Sequence, residues 1–132
     1  MKKIAYFLFC TLLFAACGNE AKQIETLTKE TETIHDEAMK TMADMNRVAR
    51  ELKEFMISAT MTPEQSATYM DVLTKMGKAE NDMMDWMKNY KAPDEMPPAE
   101  AMSYLKTQKE LIEKNHADLK SALEAGKKLQ GK

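Results

Sequence analysis

IETLTKETETIHDEAMKTMADMNRVARELKEFMISA, residues 24 to 59, is the stretch on which the fold turns. Its apolar and small side chains recur as Ile24, Leu27, Thr31, Ile34, Ala38, Thr41 or Met42, Met45, Ala49, Leu52, Met56 and Ala59, in steps that alternate three and four. A strand facing a core alternates every second residue, whereas a helix with a narrow buried seam gives this longer period. Some five heptads at about 1.5 Å per residue make a rod roughly 50 Å long. A stripe so narrow cannot form a core alone, so the rest of the chain must supply its partners.

Those partners follow on both sides of two firm breaks. ATMTPEQ, residues 59 to 65, ends the first helix because Pro63 drives the residue before it out of the helical region. Thr62 is placed to cap the next helix, with proline in its first position and Gln65 in its third, the pattern of a capping box. The second stripe reads Tyr69 or Met70, Leu73, Met76, Glu80, Met83, Met84, Met87 and Tyr90, until the prolines of KAPDEMPP, residues 91 to 98, interrupt it. A third runs Met102, Leu105, Lys109, Ile112, His116, Leu119, Leu123, Gly126 and Leu129. Strand signals are almost absent. Short links between long amphipathic helices favour neighbours that run in opposite directions. The spacing therefore predicts an all-α domain over residues 23 to 132, an antiparallel up-down-up three-helix bundle with long coiled-coil-like helices. A second copy completing the seam, and hence a homo-oligomer, is the alternative.

Twelve of the thirteen methionines lie beyond the first residue, and the densest group is NDMMDWMKNY, residues 81 to 90. Met83, Met87 and Tyr90 share one line of a helix, Met84 neighbours Met87, and Trp86 neighbours Met83 and Tyr90. The first helix offers a matching ladder of His35, Met39, Met42 and Met45. Laying the helices side by side puts Met87 near the level of His35, and Met76 and Glu80 near that of His116. The group then has three readings. Methionine is polarisable and unbranched and packs well against aromatic rings, which makes it core filler. Thioether and imidazole groups suit Cu(I) without any thiolate, which makes His35, Met39, Met42, Met83 and Met87 candidate metal ligands. Methionine-rich grooves also repack around varied apolar partners. His116, on the seam, is expected to form a buried polar pair with Glu80 or Asn46. Glu-x-x-His occurs twice, at Glu32 to His35 and Glu113 to His116, but the predicted course offsets the two by on the order of 15 Å, too far to share a metal pair.

The chain opens MKKIAYFLFCTLLFAAC, two lysines before an uncharged run that ends at Ala16 and is too short to span a bilayer. Residues 1 to 16 thus read as a secretory signal. The run ends FAAC, which resembles the lipobox of bacterial lipoproteins, with Phe14 where those proteins usually carry leucine. The resemblance implies that Cys17 receives diacylglycerol and becomes the mature N-terminus, with residues 17 to 22 as a polar tether. An exposed free thiol is a liability in an oxidising compartment, which agrees with acylation. Cys10 leaves with the signal, so disulfides and thiolate metal sites are excluded. The tether lacks the aspartate that retains some lipoproteins at the inner membrane, so outer membrane is the expected location, periplasmic or surface leaflet.

Two further resemblances are local. HDEAM, residues 35 to 39, with MMDWM, residues 83 to 87, resembles a group of small helical lipoproteins of Gram-negative bacteria with no established activity. MTPEQ, residues 61 to 65, resembles the LTxxQ motif of periplasmic helical-hairpin chaperones and metal-responsive sensors, with Met61 in place of leucine and no second copy of the motif.

Removing Lys2 and Lys3 leaves seventeen bases against twenty-one acids, a net charge near −4 with both signs interspersed. No basic patch points to nucleic acid. The sequence holds no G-x-S-x-G, no catalytic cysteine and no phosphate-binding glycine loop. The expectation is a lipid-anchored, non-enzymatic interaction or chaperone-like module with an envelope protein as partner and no cofactor. The alternative is a copper-binding envelope protein.

Overall fold

The computed structural model describes residues 4 to 131, with side chains from residue 18 onward. Three long helices pack together: α1 (Ile4–Ser58), α2 (Pro63–Asn89) and α3 (Pro98–Leu129), with a short 3₁₀ turn at Pro93–Glu95 before α3. No strand occurs among the described residues. The signal assigned to residues 1 to 16 and the side chain of Cys17 lie outside the described side chains. Among the described residues, no helix is long and apolar enough to cross a membrane.

Sequence chemistry sets the breaks. Thr62 Oγ1 accepts from the Gln65 amide at 3.2 Å, and Gln65 Oε1 accepts from the Thr62 amide at 2.9 Å, so two otherwise orphaned donors are satisfied at the start of α2. At its far end Tyr90 leaves the helix in an extended conformation, while its amide still donates to the Trp86 carbonyl at 2.9 Å. Pro93 is buried in the connection, and α3 starts with Pro98 in its first turn.

Helix α1 is exposed from residue 18 to residue 23 and reaches full burial at Thr31. Thr31 hides its hydroxyl by donating to the Leu27 carbonyl at 2.8 Å. From there Ala38, Met42, Met45, Val48, Ala49 and Leu52 enter the core. Helix α3 contributes Leu105, Ile112, His116, Leu119, Leu123 and Gly126. Side-chain contacts tie the helices at matched heights. Between α1 and α3 these are Glu30 with Lys109 (2.8 Å), Thr41 with His116 (3.1 Å) and Glu51 with Gln130 (2.6 Å). Between α1 and α2 they are His35 with Trp86, Asn46 with Glu80 and Phe55 with Tyr69.

The phase of α2 corrects the sequence reading. Its inward line is Tyr69, Val72, Met76, Ala79, Met83, Trp86 and Tyr90, again in alternating threes and fours. Tyr69, one of the two residues offered for the first position, packs against the core, while its alternative Met70 and the stripe residue Met84 are 55% and 51% exposed. Adjacent helical residues point about 100° apart, so Met83 at 0% exposure and Met84 cannot both face one core.

At Gly126 the helices pack with no room for a side chain. A β-carbon there would collide with Met76 Cε and stand 2.8 Å from Val48 Cγ1, a branched side chain with little room to turn. Gly77, midway along α2, faces open space, with nothing within 4 Å of where a β-carbon would be. Gly126→Ala is therefore expected to lower stability by about 1–2 kcal/mol, overpacking outweighing the gain in helix propensity. Gly77→Ala is expected to raise it by about 0.5–1 kcal/mol. Urea unfolding followed at 222 nm reads both signs.

Candidate functional site

Two features of the α1/α2 side combine side chains of functional interest. The first is an aromatic row at the level of His35. The imidazole, half-buried, has Nδ1 3.3 Å from Asp36 Oδ1 and stacks on Trp86 with ring centroids 5.7 Å apart. Trp86 stacks on Tyr90 at 4.8 Å, and Tyr90 tilts against Tyr104 at 6.1 Å. The Tyr104 hydroxyl oxygen accepts from the Lys91 amide at 2.7 Å, fixing the link after α2 to α3. Trp86 is only 9% exposed, and neither its Nε1 nor the Tyr90 hydroxyl has a hydrogen-bond partner among the described residues. Burial pushes the Tyr90 hydroxyl above its ordinary pKa, with Tyr104, Glu32 and Asp94 adding to the shift.

The methionines divide by depth. Met42, Met45, Met76 and Met83 are core, packed in one cluster with Trp86, while Met39 and Met87 are half-buried against it. Of the residues considered as metal ligands, His35, Met39 and Met87 are thus reachable from solvent, and Met42 and Met83 lie inside. Among the described residues no group of three or more histidine, cysteine, aspartate or glutamate side chains is arranged to hold a metal. Any ion seated here would rest on thioethers and the single imidazole of His35.

Glu80 and His116 do not pair. Glu80 Oε1 accepts from Asn46 Nδ2 at 2.9 Å, and His116 Nε2 lies 3.1 Å from Thr41 Oγ1. The Thr41 hydroxyl donates to the Glu37 carbonyl at 3.1 Å, so its oxygen is left to accept from an Nε2–H of the imidazole. The cause is axial. Next to His116, Asn115 Nδ2 donates to the Asp82 carbonyl at 3.2 Å, which sets this part of α3 beside Asp82 and Met83 rather than Glu80. Thr41 is six residues beyond His35, so the two histidines are offset by about 9 Å along the axis, less than the sequence estimate.

The second feature is a groove that the sequence reading missed. Two open cavities, of about 490 and about 230 Å³, lie between α1 and α2 and share Lys53 and Leu73 in their walls. The lower one is bounded by Met56, Ile57 and Met70, the upper one by Asn46, Arg50, Gly77 and Glu80. Ile57 is 87% exposed at the lower end. Met70, Gly77 and Met84 recur every seven residues, and that recurrence was a signal available in the sequence. A wider cavity of about 560 Å³ lies between α1 and α3, but its charges balance as Lys22, Lys29 and Lys109 against Glu25, Glu30 and Glu113.

Comparison with protein-family models, with curated proteins and with solved structures finds no match to this chain.

The burial pattern and the His116 site yield two expectations. Met83→Ala removes a fully buried side chain and should cost about 2–5 kcal/mol, whereas Met84→Ala should stay within about 0.5 kcal/mol of the parent in the same urea titration. His116 has its pKa lowered, first by burial and then by Lys120, with Glu37 opposing. The unfolded chain therefore binds a proton more readily than the folded one as pH falls below about 6.5, and stability drops there. The melting temperature should decline between neutral pH and pH about 5, and His116→Gln should flatten that part of the profile.

Proposed function

We propose that this chain is a lipid-anchored module of the bacterial cell envelope that works by binding another envelope protein and not by catalysis. The observation that carries the reading is the open side of the bundle. Ile57 and Met70 are spent on solvent along one groove, with Met84 exposed further along α2, and contiguous apolar surface of this kind marks an interaction site. In this reading the helices follow an up-down-up antiparallel course with coiled-coil-like seams, supported by the contacts of α1 with α3 at rising residue numbers in both and the reversed order of residue numbers between α1 and α2. Acylation at Cys17 places the anchor at one end of α1, with outer membrane as the location. About forty helical residues separate it from Ile57, so the groove's lower end stands roughly 60 Å away along the rod.

Site-specific photo-crosslinking in intact cells tests the binding role. A cross-linker at position 57 or 84 should capture a reproducible partner that one at Glu124, on the exposed face of α3, does not. Identical capture from all three positions, or none from the groove, refutes it. Loss of membrane retention in Cys17→Ser tests the anchor separately.

A second reading is favoured by His35 and Met39, one turn apart on α1, and Met87 beside Trp86 on α2, all half-buried, with His35 stacked on Trp86. It is a soft-metal role with Cu(I) as the ion. Titration against a competing chelator should then show binding that weakens on Met39→Leu and Met87→Leu. Affinity no better than millimolar, or indifference to those substitutions, removes this reading.

A further inference from the structure

We infer that the α1/α2 groove seats an acidic amphipathic helix supplied by a partner protein. This rests on the binding reading above and adds the chemistry of the occupant.

Shape comes first. The α2 wall of the groove runs from Met70 through Leu73 and Gly77 to Glu80, roughly 15 Å, or about three helical turns, and the exposed Met84 follows one turn beyond. Met70, Leu73 and Gly77 follow one another at three and four, the spacing of a helical seam, which matches a helix laid alongside and not an extended strand, whose side chains alternate every second residue. Gly77 sits at the centre with no side chain, and the space over it is empty to 4 Å, so a partner's side chain can descend to the backbone of α2 there. The floor is closed by the Asn46–Glu80 hydrogen bond, which already satisfies the polar groups between the two helices.

Charge then selects the partner. The walls carry Arg50 and Lys53 from α1 and one carboxylate, Glu80, engaged by Asn46. Neighbouring Arg47 is bound to Asp44 at 2.9 Å and to Glu51 at 3.8 Å. Among the described residues, no ion pair engages Arg50 or Lys53, even though Glu54 lies one turn from Arg50. Two cations beside the apolar lower cavity of Met56, Ile57, Met70 and Leu73 favour a helix whose apolar stripe is flanked by glutamate or aspartate. A second copy docked groove to groove would bring Arg50 and Lys53 against their own counterparts, a like-charge contact.

The test uses the full acylated chain in zwitterionic nanodiscs, with empty discs as blank. The probes are three labelled 21-residue peptides: leucine heptads flanked by glutamate, the same heptads flanked by lysine, and a scrambled acidic sequence without a stripe. Fluorescence anisotropy at low salt should show the acidic heptad peptide binding at least about tenfold more tightly than either other, with the advantage shrinking as salt rises. Gly77→Leu fills the open space without entering the core and should abolish binding while leaving the 222 nm signal and melting temperature near those of the parent. Arg50→Glu with Lys53→Glu, both on the surface, should reverse the preference toward the lysine peptide. A lysine or scrambled peptide binding as well as the acidic heptad, binding indifferent to Gly77→Leu, or a concentration-dependent dimer that Gly77→Leu disperses would each overturn the inference. If the lysine peptide binds and Gly77→Leu blocks it, the occupant's charge is refuted while the groove's binding role stands. Absence of any peptide binding refutes the inference and leaves the binding role to the cross-linking result.

Discussion

Each of the three helices carries one apolar stripe, and none has enough width to remove its own side chains from water. Everything else in the molecule follows from those stripes facing one another. Met45, Met76, Met83, Leu105, Ile112 and Leu119 lose almost all contact with solvent only because three segments distant in sequence meet along a common axis. The narrowness of the stripes also sets how close the helices come. Where Gly126 meets Val48 and Met76, the absence of a single methyl group lets α3 sit against both other helices at once.

The same constraint leaves a side unfinished. Both α1 and α2 turn their best apolar line toward the shared core and keep a second, weaker line facing out between them. On α2 that line is Met70, Leu73, Gly77 and Met84, and on α1 it is Arg50, Lys53 and Ile57. A fourth helix would complete the arrangement. The buried polar contacts are consistent with a frame that is finished elsewhere: Thr31, Asn115 and His116 all have partners. Among the described residues, the buried polar atoms without a partner are Trp86 Nε1 and the Tyr90 hydroxyl, at the end of the α1/α2 side beside the half-buried sulfurs, and Gln130 Oε1 at the C-terminal end of α3.

Much of the fold was legible in the sequence because period, prolines and the Thr62–Gln65 cap are local signals. The stripes of α1 and α3 needed no adjustment of phase. That of α2 did: the line through Leu73 and Glu80 lies one residue off the buried Val72 and Ala79, and it drew in Met84, which is exposed. The partner of His116 was beyond reach for another reason. Axial offset between α2 and α3 depends on how the Pro93–Glu95 turn takes up length, and a shift of a few residues exchanges Glu80 for Thr41. The groove was partly readable in the seven-residue recurrence of Met70, Gly77 and Met84, whereas the lack of an ion pair at Arg50 and Lys53 among the described residues depends on side-chain conformations that spacing does not report.

The central claim is that α2 buries Met83 and turns Met84 and Met70 outward, Met70 into the wall of the α1/α2 groove. Peroxide footprinting of the folded protein, read by mass spectrometry on the peptide that holds both neighbours, tests it directly because thioether oxidation follows exposure. Met84 and Met70 should oxidise early, with Met83 protected until the protein unfolds. Oxidation of Met83 at the rate of Met84 would contradict the phase of α2 and the groove with it.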